Sequence, residues 1–311
     1  MQLVFMGTPD FAVPTLKRLV AEGHTVSAVY TQPDKPQGRG RGVSPPPVKT
    51  AALSLGLTVY QPPSLKSEVE SITQLKPDAI VVAAFAQLLP KSILDIPRHG
   101  CLNVHPSLLP LHRGASPIAG AILAGDEFTG VTIMLMDLGF DTGPILAQER
   151  LQIAAEDTTG SLATKLSEVG AKLLVSTLTD WVERKLSPHP QSAEGANYTP
   201  KITKKDAEID WHLSATDIWR RVRAFQPWPG CYTSWHGRLL RIIEASPLVG
   251  AQMGQVGQVV SVKKPGGVSI GVQTSDGVLE LLKVQPEGKR PMMAEEFSRG
   301  QRDFVGALLP C

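Results

Sequence analysis

Alternation is the property that most limits what this chain can become. Across its first half, short apolar runs able to form buried strands alternate with stretches whose apolar residues recur at helical spacing. That order builds a mostly parallel sheet with helices on its faces. The strand candidates are Leu3–Met6, Thr25–Thr31, Leu57–Tyr60, Asp78–Phe85, Cys101–His105 and Gly130–Met136, and Gly143–Leu151 can pair with the last. After the first strand, Phe11, Val13, Leu16, Leu19 and Val20 share a helical face, with Pro14 acceptable in the first turn. Further helices are expected over Pro47–Leu55, Leu65–Leu75 and Ser116–Ala124, and a long one over Ser161–Arg184 closes the domain.

The pattern changes later. Ser187–Pro200 has no helical period and reads as a linker. A helix is expected over Ala215–Ala224. Beyond Pro227-Trp228-Pro229-Gly230 come short strands at Cys231–Trp235, Leu239–Glu244, Gly257–Val262, Val268–Thr274 and Val278–Pro286, separated by glycine turns. Short strands so spaced suggest a small β-barrel of the oligonucleotide-binding type. With 311 residues the chain can bury two cores. The expected layout is therefore a Rossmann-like α/β domain over 1–186, a linker over 187–207 and a C-terminal β-barrel over 208–311.

Composition excludes several classes. The three cysteines are widely spaced with no CxxC pair, so a disulfide scaffold or zinc knuckle is disfavoured and a reducing compartment fits. No secretory or transit pattern opens the chain and no run has the length of a membrane span, so a cytoplasmic location is expected. Residues 1–200 carry 16 Lys and Arg against 18 Asp and Glu, and residues 201–311 carry 15 against 11. The basic second half is what a polyanionic partner would favour, and also what an ordinary solvated surface can show.

Chemistry concentrates in Asn103-Val104-His105-Pro106-Ser107-Leu108-Leu109-Pro110. In a strand, residues i and i+2 face one side, so Asn103 and His105 can address one reacting atom. They lie at the carboxyl end of a strand, where open α/β sheets place ligands. Downstream, Asp137 and Asp141 flank Gly139 in a glycine-punctuated loop. Acidic residues there form Asx turns or serve a site, and Asp141 is favoured for its expected nearness to the imidazole. Amide, imidazole and carboxylate together suit acyl-group chemistry. His112-Arg113-Gly114 can shape that site. Phe85–Pro90 ends the buried fourth strand, where it can wall an apolar ligand or simply pack. Gly7-Thr8-Pro9-Asp10-Phe11 lacks the GxGxxG spacing of a dinucleotide site. The stretch 31–49 is long, with Lys35, Arg39, Arg41 and Lys49 among glycines and prolines; it reads equally as a phosphate-binding loop or a plain surface loop.

These segments resemble the methionyl-tRNA formyltransferase family, within the wider folate-dependent formyltransferases. The resemblance rests on Gly7–Phe11, the Arg39-Gly40-Arg41 loop, Asn103–Pro110, His112–Ile118 and Gly130–Thr132 through Asp141–Gly143. It continues through Asn197–Ile202 and Phe225–Gly230. Leu138-Gly139-Phe140 departs from the family's frequent Glu-Gly-Leu and leaves Asp141 in place. The resemblance implies formyl transfer from 10-formyltetrahydrofolate to methionyl initiator tRNA by a cytoplasmic monomer that needs no metal. It implies that Asn103 donates to the oxyanion, that His105 donates or moves a proton, and that Asp141 holds His105 and takes the amine proton. Folate contacts are implied for Phe85, Gln87, Leu88, Ser107, Leu108, Leu109, Pro110 and Asp137. Contacts to tRNA are implied for Lys35, Arg39, Arg41, Lys201, Lys204, Lys205, Arg220 and Arg223. The rival readings are a formyltransferase acting on a small amine, glycinamide ribonucleotide or an amino-sugar nucleotide, and an RNA-binding module on a silent scaffold.

Overall fold

Five-residue runs with no exposed position explain the first sheet. Ala79–Ala83 and Cys101–His105 are buried throughout, which a strand achieves only when both sheet faces are covered. The structure is a computed structural model and describes residues 1–37, 42–265 and 267–311. The chain forms two compact units. Met1–Ile118, Glu127–Ile153 and Ser161–Pro200 make the first; Ala119–Asp126, Ala154–Gly160 and Lys201–Cys311 make the second.

In the first unit the strands are β1 (Gln2–Gly7), β2 (Thr25–Tyr30), β3 (Lys35–Gln37), β4 (Gly42–Ser44), β5 (Val59–Tyr60), β6 (Ala79–Ala83), β7 (Cys101–His105), β8 (Arg113–Gly114), β9 (Phe128–Leu135), β10 (Ile145–Gln152) and β11 (Tyr198–Thr199). The main sheet runs β10-β9-β7-β6-β1-β2-β5. Pairing is parallel from β5 through β7 and antiparallel for β7–β9 and β9–β10. β3 and β4 form an antiparallel ribbon, and β8 and β11 a parallel one. Arg39 and Arg41 lie outside the described residues.

The helices are α1 (Val13–Ala21), α2 (Pro47–Ser54), α3 (Val69–Gln74), α4 (Lys91–Leu94), α5 (Pro117–Ala124) and α6 (Thr159–Val182), in the expected order except for α4, which was not expected. The helix expected over Leu65–Leu75 is broken: a 3-10 turn at Leu65–Ser67 precedes α3, with the Ser64 hydroxyl accepting from Lys66 N. β6 is shorter than expected, because Ala84 and Ala86 turn to φ 47° and 63° and leave the strand. Behind the sheet α6 approaches closely at Gly170. A Cβ there would stand 2.8 Å from Val104 Cγ1 and 3.2 Å from Val131 Cγ1.

The stretch expected to be only a linker returns through the first unit. His189 bridges Ile145, and Tyr198–Thr199 forms β11 against β8. Its irregular backbone finds partners in other segments, which no local period reveals.

The second unit carries α7 (Ala215–Ala224), β12 (Tyr232–Trp235), β13 (Arg238–Leu248), β14 (Val259–Lys264), β15 (Gly267–Gln273), β16 (Val278–Pro286), β17 (Met292–Met293) and α8 (Ala294–Gly300). Its antiparallel sheet runs β12-β13-β16-β15-β14, with β17 on β16. β13 extends well past the expected strand, bending through register shifts between Ile242 and Ala245. α8 was not expected. Among the described residues no helix is long and apolar enough to cross a membrane.

Replacing Gly170 by leucine should force α6 off the sheet. The expected cost is about 1–3 kcal/mol, read as a fall in denaturant midpoint at unchanged m-value.

Candidate active site

β7 delivers the first two groups. Asn103 and His105 point to one face while Val104 points to the other, under Gly170 of α6. Asn103 is 8% exposed and His105 4%. Register with β9 sets Asn103 opposite Met134 and His105 opposite Thr132.

After β7 the chain turns and its own hydrogen bonds hold it. Ser107 Oγ donates to the Leu111 carbonyl at 2.6 Å. Thr132 Oγ1 donates to the Ser107 carbonyl at 2.7 Å and accepts from Leu109 N at 3.1 Å. Gln148 Nε2 donates to Leu109 O and Thr132 Oγ1 at 2.9 and 2.8 Å. Ser107 and Leu109 are buried, and Leu108 packs over Gly130. These side chains build the turn, and the Ser107 hydroxyl is committed to it.

His112 lies just beyond, with φ 56°, and its carbonyl meets His105 Nε2 at 3.1 Å. A carbonyl only accepts, so Nε2 carries the proton, and the neutral ring then has its lone pair on Nδ1. That nitrogen is 3.6 Å from Asp141 Oδ1. Asn103 Nδ2 reaches the same oxygen at 3.4 Å, a long bond that is easily exchanged for a better acceptor. Asp141 Oδ2 accepts from Gly114 N at 2.9 Å. Burial pushes the His105 pKa below the ordinary 6.5, with Asp141 opposing the shift. The ring is therefore neutral at pH 7, with Nδ1 available as a proton acceptor.

The loop that brings Asp141 is shaped by its neighbours. Asp137 Oδ1 accepts from Gly139 N at 2.9 Å and Thr142 Oγ1 at 2.8 Å, so its carboxylate closes the loop upon itself. Gly143 is required by close approach, since a Cβ would stand 1.8 Å from Leu135 O.

Beside β6 opens a cleft of about 620 Å³, walled in part by Gln32, Ser64, Lys66, Gln87, Leu88 and Leu138. Gln87 accepts from Leu65 N and donates to Pro62 O, while Leu88 stands exposed. Phe85 is buried in the apolar core instead, beside Tyr30, Leu65 and Leu89. Among the described residues no group of three or more His, Cys, Asp or Glu could hold a metal ion.

The basic residues divide. Lys35, Lys201, Lys204 and Lys205 are exposed. Arg223 donates from Nε to Asp157 O at 2.9 Å and from Nη2 to Ala154 O at 3.2 Å, and its guanidinium covers the Trp219 ring at 4.3 Å. Arg220 packs its guanidinium against Gly125 and pairs with Asp217 at 3.6 Å. Both arginines, expected to bind nucleic acid, hold the second unit together.

Sequence reasoning gave no role to Thr132, Gln148, Gln191, Asn197, Gln32 and Lys66, although Thr132 and Asn197 fall within segments that carry the resemblance. Gln191 and Asn197 sit in the irregular stretch after α6, where no periodicity marks a contact. Thr132 is the exception in principle, because a hydroxyl within the mostly apolar run Gly130–Met136 invites a search for its hydrogen-bond partners.

An amide donor and a neutral base facing one carboxylate, beside an open cleft, define a site for moving acyl groups onto amines. The comparisons agree. Residues 1–178 match the formyl transferase family and residues 201–302 the formyl transferase C-terminal domain; the chain belongs to the formyl transferase family. It is 46% identical over 311 residues to the methionyl-tRNA formyltransferase of Dehalococcoides mccartyi, covering 99% of this chain and 98% of that one. With the methionyl-tRNA formyltransferase of Methylococcus capsulatus identity is 46% over 299 residues, covering 96% of each chain. Among solved structures, HypX from Aquifex aeolicus in complex with tetrahydrofolic acid is similar in fold at TM-score 0.65 and 17% identity, over 98% of this chain and 48% of that one. So is the N-formyltransferase from Helicobacter canadensis with folinic acid and dTDP-3-aminofucose, at TM-score 0.65 and 17% identity, over 91% and 98%.

Arg223→Ala should destabilise the protein by about 1–3 kcal/mol, since the part-buried Asp157 and Ala154 carbonyls each lose a guanidinium donor and Trp219 loses its cover. Lys205→Ala should leave the unfolding midpoint within about 0.5 kcal/mol of the parent. Chemical denaturation of both variants checks the division.

Proposed function

We propose that this protein transfers the formyl group of 10-formyltetrahydrofolate to the amino group of methionyl initiator tRNA, in the cytoplasm and as a monomer. The full-length correspondence with proteins of that name carries the reading, because it takes in the second unit as well as the catalytic one. The site's chemistry supports it. The amine attacks the formyl carbon, and the new carbon–nitrogen bond leaves negative charge on the formyl oxygen. Asn103 Nδ2 turns from Asp141 and donates to that oxygen. His105 Nδ1 takes the proton lost by the amine, and the Asp141 carboxylate stabilises the imidazolium so formed. As the bond to folate N10 breaks, the proton passes to N10, and tetrahydrofolate leaves with His105 neutral again.

The cleft beside β6 receives the folate, with Gln87 and Leu88 along it. Asp137 and the Ser107–Pro110 turn support that ligand by holding the loops around it, and Phe85 backs the wall from the core. Lys35, Arg39 and Arg41 engage the acceptor end of the tRNA. Lys201, Lys204 and Lys205 take phosphates, which position the nucleic acid without reading its sequence.

The decisive assay offers 10-formyltetrahydrofolate with charged initiator tRNA or with glycinamide ribonucleotide. Formyl transfer to the tRNA is expected; transfer only to the small amine would replace this reading. Asn103→Ala should lower kcat by about 100-fold with little change in tRNA affinity. The pH dependence follows from His105. The base works when neutral and its pKa lies below 6.5, so kcat/KM should be level near pH 7 and fall on acidification only below that value. A profile already falling at pH 7 would assign the proton transfer to another group.

A further inference from the structure

Asp141 has φ 54°, a left-handed backbone that a non-glycine residue holds only when its surroundings impose it. The surroundings here include one side chain from far along the chain. Gln191 Nε2 donates to the Asp141 carbonyl at 2.8 Å and to the Gly143 carbonyl at 2.7 Å. Gln191 Oε1 accepts from Arg113 Nε at 3.0 Å and Arg113 Nη2 at 2.7 Å. The orientation of this amide is unambiguous. A guanidinium only donates, so the oxygen must face Arg113, and the nitrogen must then face the two carbonyls. Both amide protons and both oxygen lone pairs are used.

Arg113 is itself buried and anchored. It belongs to β8, the same two residues whose Gly114 N grips the Asp141 carboxylate. The preceding carbonyl, of His112, sets the tautomer of His105. β8 therefore holds Asp141 in two ways, by its side chain through Gly114 and by its backbone through Arg113 and Gln191. Nothing in this chain of bonds touches a reacting atom.

We infer that Gln191, braced by Arg113, is a positioning residue that holds the Asp141 loop in register with His105 and Asn103. This rests on the formyl-transfer reading for its kinetic consequence and on geometry alone for its structural one. Desolvation lowers the proton affinity of His105 most; the Asp141 carboxylate is the largest influence raising it, followed by the hydrogen bond to the His112 carbonyl, while the charge of the His112 ring opposes them. If the loop slips, His105 loses that support and titrates at lower pH.

Two neutral variants, Gln191→Met and Gln191→Asn, test this in the full-length protein. Met keeps the length without hydrogen bonds; Asn keeps the amide but is one methylene short. The first readout is the His105 imidazole titration by NMR, which needs no substrate. The second is steady-state formyl transfer. The expected result is a His105 titration moved to lower pH, the acid limb of kcat/KM moved the same way, and kcat lowered about ten- to hundredfold. The KM for 10-formyltetrahydrofolate should change less than about twofold, since uniform binding is untouched. An unmoved His105 titration in a folded variant overturns the inference, whatever happens to thermal stability, and so does a loss expressed only in KM. Absence of formyl transfer by the parent protein would remove the functional reading, while the NMR titration would still decide the role of Gln191.

Discussion

The hydrogen bond between His105 and the carbonyl of His112 is the constraint on which the site depends. It consumes the Nε2 proton and thereby decides that Nδ1 is the free nitrogen. His112 presents that carbonyl from a left-handed backbone, a cost of order 1 kcal/mol for a residue with a Cβ. The strain is held because the next residues are locked on both sides. Arg113 N donates to Asn197 O at 3.0 Å, and Ala115 N to Thr199 O at 3.1 Å.

A neutral imidazole with its lone pair turned toward a carboxylate is an unfavourable pairing until a proton arrives. Burial opposes charging the ring and Asp141 favours it, so the two effects are set against each other in one small volume. In the proposed transfer, the amine of the substrate relieves this by supplying the proton. Such a site stores little charge at rest and gains stabilisation as the transition state forms, which is what differential binding requires. The same economy explains Asn103, whose 3.4 Å contact to Asp141 is worth little to keep.

Support for the site comes from parts of the chain that have no chemistry. Gly170 lets α6 lie on Val104 and Val131, so the strand bearing Asn103 and His105 cannot move back. Thr132, on the neighbouring strand, gathers the turn after β7 through both its lone pairs and its proton. In the second unit, Arg220 and Arg223 are spent on internal contacts, whereas Lys201, Lys204 and Lys205 are exposed. A residue's charge therefore says little about its use until its partners are known.

The strand-and-helix alternation, the placement of Asn103 and His105 on one face, and the change to short strands after Pro229 were legible because they follow from periods of 2 and 3.6 residues along the chain. The motif match that marked Asp141 was legible too. Invisible were the break at Leu65–Ser67, the buried commitment of Phe85 and Ser107, and the return of residues 187–200 as β11 and the Gln191 brace. The burial of Phe85 and the Gln191 brace depend on what stands across a gap in space, 50 positions away along the chain in the case of Gln191 and Asp141, whereas the break at Leu65–Ser67 and the Ser107 bond close over two and four residues with no period to announce them. By itself, the sequence determined which groups are present and how each short segment repeats. Only the tertiary structure decided which imidazole nitrogen is free, which arginines are internal and what holds the carboxylate in place, because hydrogen-bond partners are chosen by distance and angle rather than by order along the chain.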